Sequence, residues 1–118
     1  MLHWQPLHTK AIATNWNKTI VLKGAYTVVA AADGRTRTYP VANPGLASAG
    51  TGDVLSGVIA GLLAQGLPLF DAASLGVFLH GEAGSMASSQ LGDTGLLASD
   101  LLPLLPLVIK RLKGGALA

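Results

Sequence analysis

Asn43-Pro-Gly-Leu-Ala-Ser-Ala-Gly-Thr-Gly-Asp-Val-Leu-Ser-Gly57 is the stretch on which the reading of this chain turns. Gly50 and Gly52 allow a sharp backbone turn that presents N–H groups. An apolar run follows at once. Val54, Leu55, Val58, Ile59, Leu62 and Leu63 recur at helical spacing, which predicts a helix over 53–65 with Gly66 at its C-terminal cap. The free amides and positive end of that helix open into the same space as the turn, an arrangement that binds anions and phosphates above all. The loop is not of the Walker type, because no Gly-Lys-Ser/Thr follows.

Asp53 puts a carboxylate at the mouth of this anion site. The repulsion is resolved if Asp53 is a general base, taking the proton of a substrate hydroxyl as that oxygen attacks a terminal phosphate. The amides of Gly50, Thr51 and Gly52 would then stabilise charge on the transferred group. The plainer alternative makes Asp53 an N-cap and the glycines a tight turn. Gly45, Gly50 and Gly52 upstream and the small Ser56, Gly57, Ala60, Gly61 and Ala64 downstream favour the catalytic reading. Glycines inside a helix cost about 1 kcal/mol each relative to Ala, so close approach of another element is expected at Gly57 and Gly61.

Upstream, Trp16 to Lys18 lead into Thr19-Ile-Val-Leu22, a continuous apolar run that predicts a strand covered on both faces. Tyr26 to Ala31 and Thr36 to Val41 predict the arms of a hairpin turning at Asp33-Gly34. Pro40 places the second arm at an edge or near its end. Downstream, Asp71 is a candidate cap for a second helix running to about Gln90. Ser99 is a candidate cap for a third, with Asp100 at its positive end, Lys110, Arg111 and Lys113 at its negative end, and Pro106 bending or interrupting it. The order is strands and a β-hairpin first, then about three helices: an α/β chain, 1–118, read as one domain.

Composition narrows the function. Hydrophobic residues make up 50% of the 118 and charged residues 12%. That charge is about half the usual ~25%, so the chain must bury much of its surface or meet partners, and a homo-oligomer is expected. The net charge of +2 and scattered basic residues argue against nucleic acid. No cysteine is present, which excludes disulfides and thiolate metal sites. No signal peptide is visible, and the longest apolar stretch, Val54 to Ala64, is too short for a bilayer, so no membrane partner is expected and a cytoplasmic location fits.

The string from Asn43 to Gly66 resembles the signature of the NAD(P)H-hydrate dehydratases, enzymes of the ribokinase-like fold. Val21-Leu-Lys-Gly-Ala-Tyr-Thr27, His80-Gly-Glu-Ala-Gly84 and Ala98-Ser-Asp-Leu-Leu102 agree with it in order and spacing, so the resemblance covers roughly 15–112. The Gly-x-Gly-Asp core is common to ribokinase-like kinases; the longer string favours the dehydratases. The resemblance implies the C-terminal portion of an α/β/α sandwich, truncated relative to the family. It implies dehydration of hydrated NADH or NADPH with ADP or ATP and Mg²⁺, by phosphorylation of the hydrate hydroxyl. It implies that Lys23, Gly24, Ala25, Tyr26, Thr27 and Gly52 line the nucleotide site, and that Asp53 and Asn43 meet the hydrated cofactor. A parent protein carrying an N-terminal epimerase domain is a further implication. No charge role is assigned to the Lys23 side chain, and His80 is read as a packed helix histidine. Two other readings stand beside this one: a sugar or vitamin kinase of the same fold, and a non-catalytic nucleotide-binding fragment whose sheet is completed by self-association.

Overall fold

The computed structural model describes residues 4–23, 26–40, 50–92 and 97–114. Its first element is a helix, α1 (Trp4–Trp16), where the sequence suggested only a lead-in to a strand. Pro6 sits in the first turn, where no N–H is required. The buried face is built from Thr9 and Ala13, with Pro6 and Ile12 half-buried beside them. Small and polar residues give little apolar contrast, which is why periodicity did not reveal it. The helix stops at Asn17, whose φ of 53° lies in the left-handed region, and the Lys18 N–H returns to the Ala13 carbonyl at 3.0 Å.

Strands β1 (Ile20–Leu22), β2 (Tyr26–Ala30) and β3 (Thr36–Pro40) form an antiparallel sheet in that order. Val21 faces Val29, and Val28 faces Thr38. The expected hairpin is present, with β3 at an edge and Pro40 at its end. Asp33 shapes the turn by accepting the Arg35 N–H at 3.1 Å, and that bond, with the Arg35 side chain, holds its carboxyl below the usual range. The strand covered on both faces is β2, not β1. Val28, Val29 and Ala30 are fully buried, whereas β1 is only partly buried and Leu22 is exposed. β2 gains this cover because α1 packs against the sheet along with α3, and β2 lies between two strands.

Helices α2 (Thr51–Ala64) and α3 (Leu69–Leu91) follow. A short 3₁₀ segment (Ala98–Leu104) then leads into α4 (Leu105–Lys113). Helix α2 has Gln65 as its C-cap, so Gly66 stands just past the cap, where a terminator was expected. Helix α3 is capped by Pro68 and not by Asp71, which lies exposed in the first turn. Pro106 stands at an interruption of the helix and not at a bend. It occupies the start of α4, where it is well tolerated, after the chain changes from 3₁₀ to α geometry. Ser99 is not a cap; the Asp100 carboxylate instead accepts the Leu97 N–H at 2.8 Å.

Helix α3 is shared by two apolar clusters. Phe70, Ala73 and Val77 pack with Val29, Ala31 and Leu55. Leu79, Ala83, Met86 and Ala87 pack with Leu101, Leu104 and Val108. Helix α2 serves both, through Leu55 and Ile59 on one side and Val54, Val58 and Leu62 on the other, while Leu63 is exposed. Arg35 of the hairpin covers the Phe70 ring, with its guanidinium carbon 4.6 Å from the centroid, and so ties the turn to α3.

The close approach expected at Gly57 and Gly61 occurs elsewhere. A Cβ at either would meet nothing within 4 Å, whereas a Cβ at Gly76 would lie 2.6 Å from Ile59 Cγ1. The α2–α3 crossing therefore rests on a glycine of α3. Gly76→Ala should lower stability by about 1–3 kcal/mol through overpacking, despite its gain in helix propensity. Gly57→Ala and Gly61→Ala should raise stability by roughly 0.5–1 kcal/mol each, since both helical positions are open. Urea melts of the three variants check the opposite signs.

Candidate functional site

The site is built on the first turn of α2. Gly50 is its N-cap, with φ 89° and ψ −10°, and no side chain caps the helix. Two constraints demand glycine here: the left-handed φ, and Ala98, whose Cβ would lie 3.1 Å from any Cβ at position 50. The Gly50 carbonyl receives the N–H groups of Asp53 at 3.1 Å and Val54 at 3.2 Å. Thr51 and Gly52, ahead of them, have no carbonyl one turn back inside the helix. Asp53 is exposed in this first turn and makes no capping bond, so the reading of Asp53 as a plain N-cap is not what the chain builds. The Ser56 hydroxyl donates to the Gly52 carbonyl at 3.0 Å, bracing the turn from the next one.

Lys23, at the end of β1, reaches this turn. Its Nζ lies 3.3 Å from the place a Gly52 Cβ would occupy. Among the described residues Lys23 has no carboxylate partner. An unneutralised ammonium beside the positive end of a helix is unfavourable alone and favourable around an anion. The sequence did not suggest this proximity, because Lys23 and Gly52 meet only through the fold. Tyr26 is half-buried at the start of β2, and Thr27 is buried within that strand. Gly24, Ala25 and Asn43 lie outside the described residues.

Behind the turn stands His80 of α3. It is 4% exposed, and its Nε2 lies 2.9 Å from the Thr51 carbonyl oxygen. A carbonyl only accepts, so Nε2 carries the proton and donates. Burial pushes the His80 pKa below its ordinary 6.5; the Thr51 bond opposes this, and the Lys23 charge adds to it. The imidazole is therefore neutral at neutral pH. His80 is packed in a helix, as the sequence suggested, and it also holds the backbone of the turn. The ordered spacing of His80-Gly-Glu-Ala-Gly84 was the available signal, but its partner could not be read from it.

Comparison with known proteins bears on this arrangement. The family model described as NAD(P)H-hydrate dehydratase matches residues 6–107. The chain belongs to that family. It is 50% identical over 101 residues to the bifunctional NAD(P)H-hydrate repair enzyme Nnr of Moorella thermoacetica, covering 86% of this chain and 19% of that protein. It is 44% identical over 95 residues to the ADP-dependent (S)-NAD(P)H-hydrate dehydratase of Neisseria meningitidis, covering 80% and 32%. The structure matches the ADP/ATP-dependent NAD(P)H-hydrate dehydratase of Bacillus subtilis, co-crystallised with ATP and Mg²⁺. The TM-score is 0.87 at 35% identity, over 93% of this chain and 40% of that one. The chain thus spans well under half the length of these dehydratase relatives.

The fold lowers the proton affinity of His80, so the unfolded chain takes up that proton first. The resulting stability is complete above the unfolded value of about 6.5 and is lost as pH falls through the lower folded value. The wild-type melting temperature should therefore fall more steeply than that of His80→Gln below about pH 6.5. Parallel pH dependences for the two proteins would contradict this.

Proposed function

We propose that this chain forms the nucleotide-binding and base-carrying part of an enzyme that dehydrates hydrated NADH or NADPH at the expense of ADP or ATP. The observation that carries this is the convergence of the Lys23 ammonium, the bare Gly52 backbone and the exposed Asp53 carboxylate on one helix start. The names of the dehydratase relatives, and the ATP and Mg²⁺ of the Bacillus subtilis crystals, support the choice of nucleotide and substrate.

In this reading Lys23 and the first-turn amides of α2 hold the phosphate chain, with the 23–27 segment against the nucleotide. Asp53 takes the proton of the hydrate hydroxyl. That oxygen attacks the terminal phosphorus as the bond to the leaving AMP or ADP breaks, and the amides stabilise the charge on the transferred group. The hydroxyl has now become a phosphate ester, a far better leaving group than hydroxide. The ring-nitrogen lone pair expels inorganic phosphate, and loss of a proton from the adjacent carbon restores the dihydropyridine. Among the described residues no three of His, Cys, Asp and Glu cluster to hold a metal. They do not form a magnesium cage; Mg²⁺ that enters with the nucleotide would be held mainly by phosphate oxygens and water, and no step is assigned to it.

No helix among the described residues is long and apolar enough to cross a membrane. Exposed Leu97, Leu102, Leu107 and Ile109 around the 3₁₀ segment and α4 support assembly with a further domain segment or a second copy. The bifunctional name of the longer relatives supports a parent protein with a second domain, read as the epimerase.

Asp53→Asn should cut dihydropyridine formation from the hydrate by about 10²–10⁴-fold. Adenine nucleotide affinity should change little. Absorbance assays with ADP or ATP and Mg²⁺, beside nucleotide titrations, measure both. Undiminished turnover in the variant would remove Asp53 as the base. A stable phosphorylated product without dihydropyridine would favour a small-molecule kinase instead.

A further inference from the structure

We infer that His80 is a positioning residue that aims the Gly52 amide into the anion site by holding the other end of the same peptide unit. The inference rests on the nucleotide reading above only for the identity of the anion.

The argument begins with the peptide plane. The Thr51 carbonyl and the Gly52 N–H belong to one planar unit and point in opposite directions. Fixing the oxygen therefore fixes the direction of the proton. At the start of α2 that oxygen is already the natural acceptor for the Leu55 N–H. Such a bond alone leaves the plane free to tilt, because first turns fray and are held at one end only. His80 Nε2 supplies a second donor, 2.9 Å away, from a helix that is itself packed in the core. Thr51 is 2% exposed, so the clamp is shielded from competing water. Lys23 Nζ stands beside the same unit, 3.3 Å from the place a Gly52 Cβ would occupy. The peptide unit is thus held through its oxygen, and its N–H points the other way, toward the open N-terminal end of α2.

The chemistry of the donor matters. A hydrogen bond to the carbonyl polarises the whole amide and makes its N–H a stronger donor. A neutral imidazole does this without a second full charge beside Lys23. A lysine or arginine in its place would bury another cation, at a cost, within reach of the first. A serine or threonine on α3 has a shorter reach than an imidazole Nε2. Gln can put an amide N–H near the same position.

The experiment uses the chain with ¹³C and ¹⁵N labelling, in the wild type, His80→Gln and His80→Leu. The wild type should show the Nε2–H tautomer of His80, with a coupling across the bond to Thr51. The Gly52 amide proton should move upfield in His80→Leu and be largely restored in His80→Gln. Titration with ADP and with inorganic pyrophosphate should show affinity about tenfold weaker in His80→Leu, with most of it recovered in His80→Gln. An Nδ1–H tautomer in the wild type overturns the inference even if a variant fails to fold. So does an unmoved Gly52 signal in folded His80→Leu, or a Gln variant as impaired as the Leu variant. If the wild type binds neither probe, the nucleotide reading fails. The tautomer and the Gly52 shifts then still decide the role of His80.

Discussion

A single peptide unit, Thr51–Gly52, is the point on which this structure depends. It opens α2, with the left-handed Gly50 before it, His80 against its carbonyl, and the Lys23 ammonium beside the side-chain-free Gly52. Each comes from a different part of the chain. Lys23 directly follows β1, His80 lies midway along α3, and Ala98, which crowds Gly50, opens the 3₁₀ segment. The candidate site is therefore a product of tertiary packing, even though the residues that name it are consecutive.

That packing is organised by α3. One end of the helix closes the sheet through Phe70, Ala73 and Val77, and the other is clasped by Leu101, Leu104 and Val108. His80 lies between these two contacts, in the stretch where α3 is held from both sides. A helix held this way has little freedom to rotate, which a side chain needs if it is to fix a backbone atom on a neighbour. The crossing with α2 reinforces this. Gly76 lets Ile59 approach to van der Waals contact one turn before His80, so the distance between the helices is set close to the clamp itself.

Much of this architecture was legible in the sequence, for identifiable reasons. The hairpin was announced by β-formers on each side of Asp33-Gly34, and α2 by apolar spacing ended by Gly66. Helix α1 was not legible, because its buried face is Thr9 and Ala13, which carry no strong apolar signal. Its one local clue was Asn17, an αL terminator. The strand covered on both faces was placed at Thr19–Leu22 when it is β2, since apolar runs reveal burial potential but not which neighbour supplies the cover. Of the site, Gly50, Gly52 and Asp53 could be read because backbone freedom and a carboxylate are local properties. The contributions of Lys23 and His80 could not. The His80 contact joins residues 29 positions apart, and nothing in either segment specifies the other.

The division of labour at the helix start follows from these distances. In the proposed function, the charge that would draw an anion comes from a lysine at the rim, where an exposed ammonium keeps its hydration and costs little to maintain. Direction comes from the backbone, which is rigid and carries no net charge. The histidine serves direction alone, because its burial and the nearby Lys23 keep it neutral. Had both side chains been charged, the site would hold a phosphate chain more tightly before reaction and release its product more slowly. That excess ground-state binding would add nothing to the chemical step. Under the proposed phosphoryl transfer, one ammonium with aligned amides would instead favour the state in which charge is spreading over the transferred group, since fixed dipoles need no reorganisation as that charge develops.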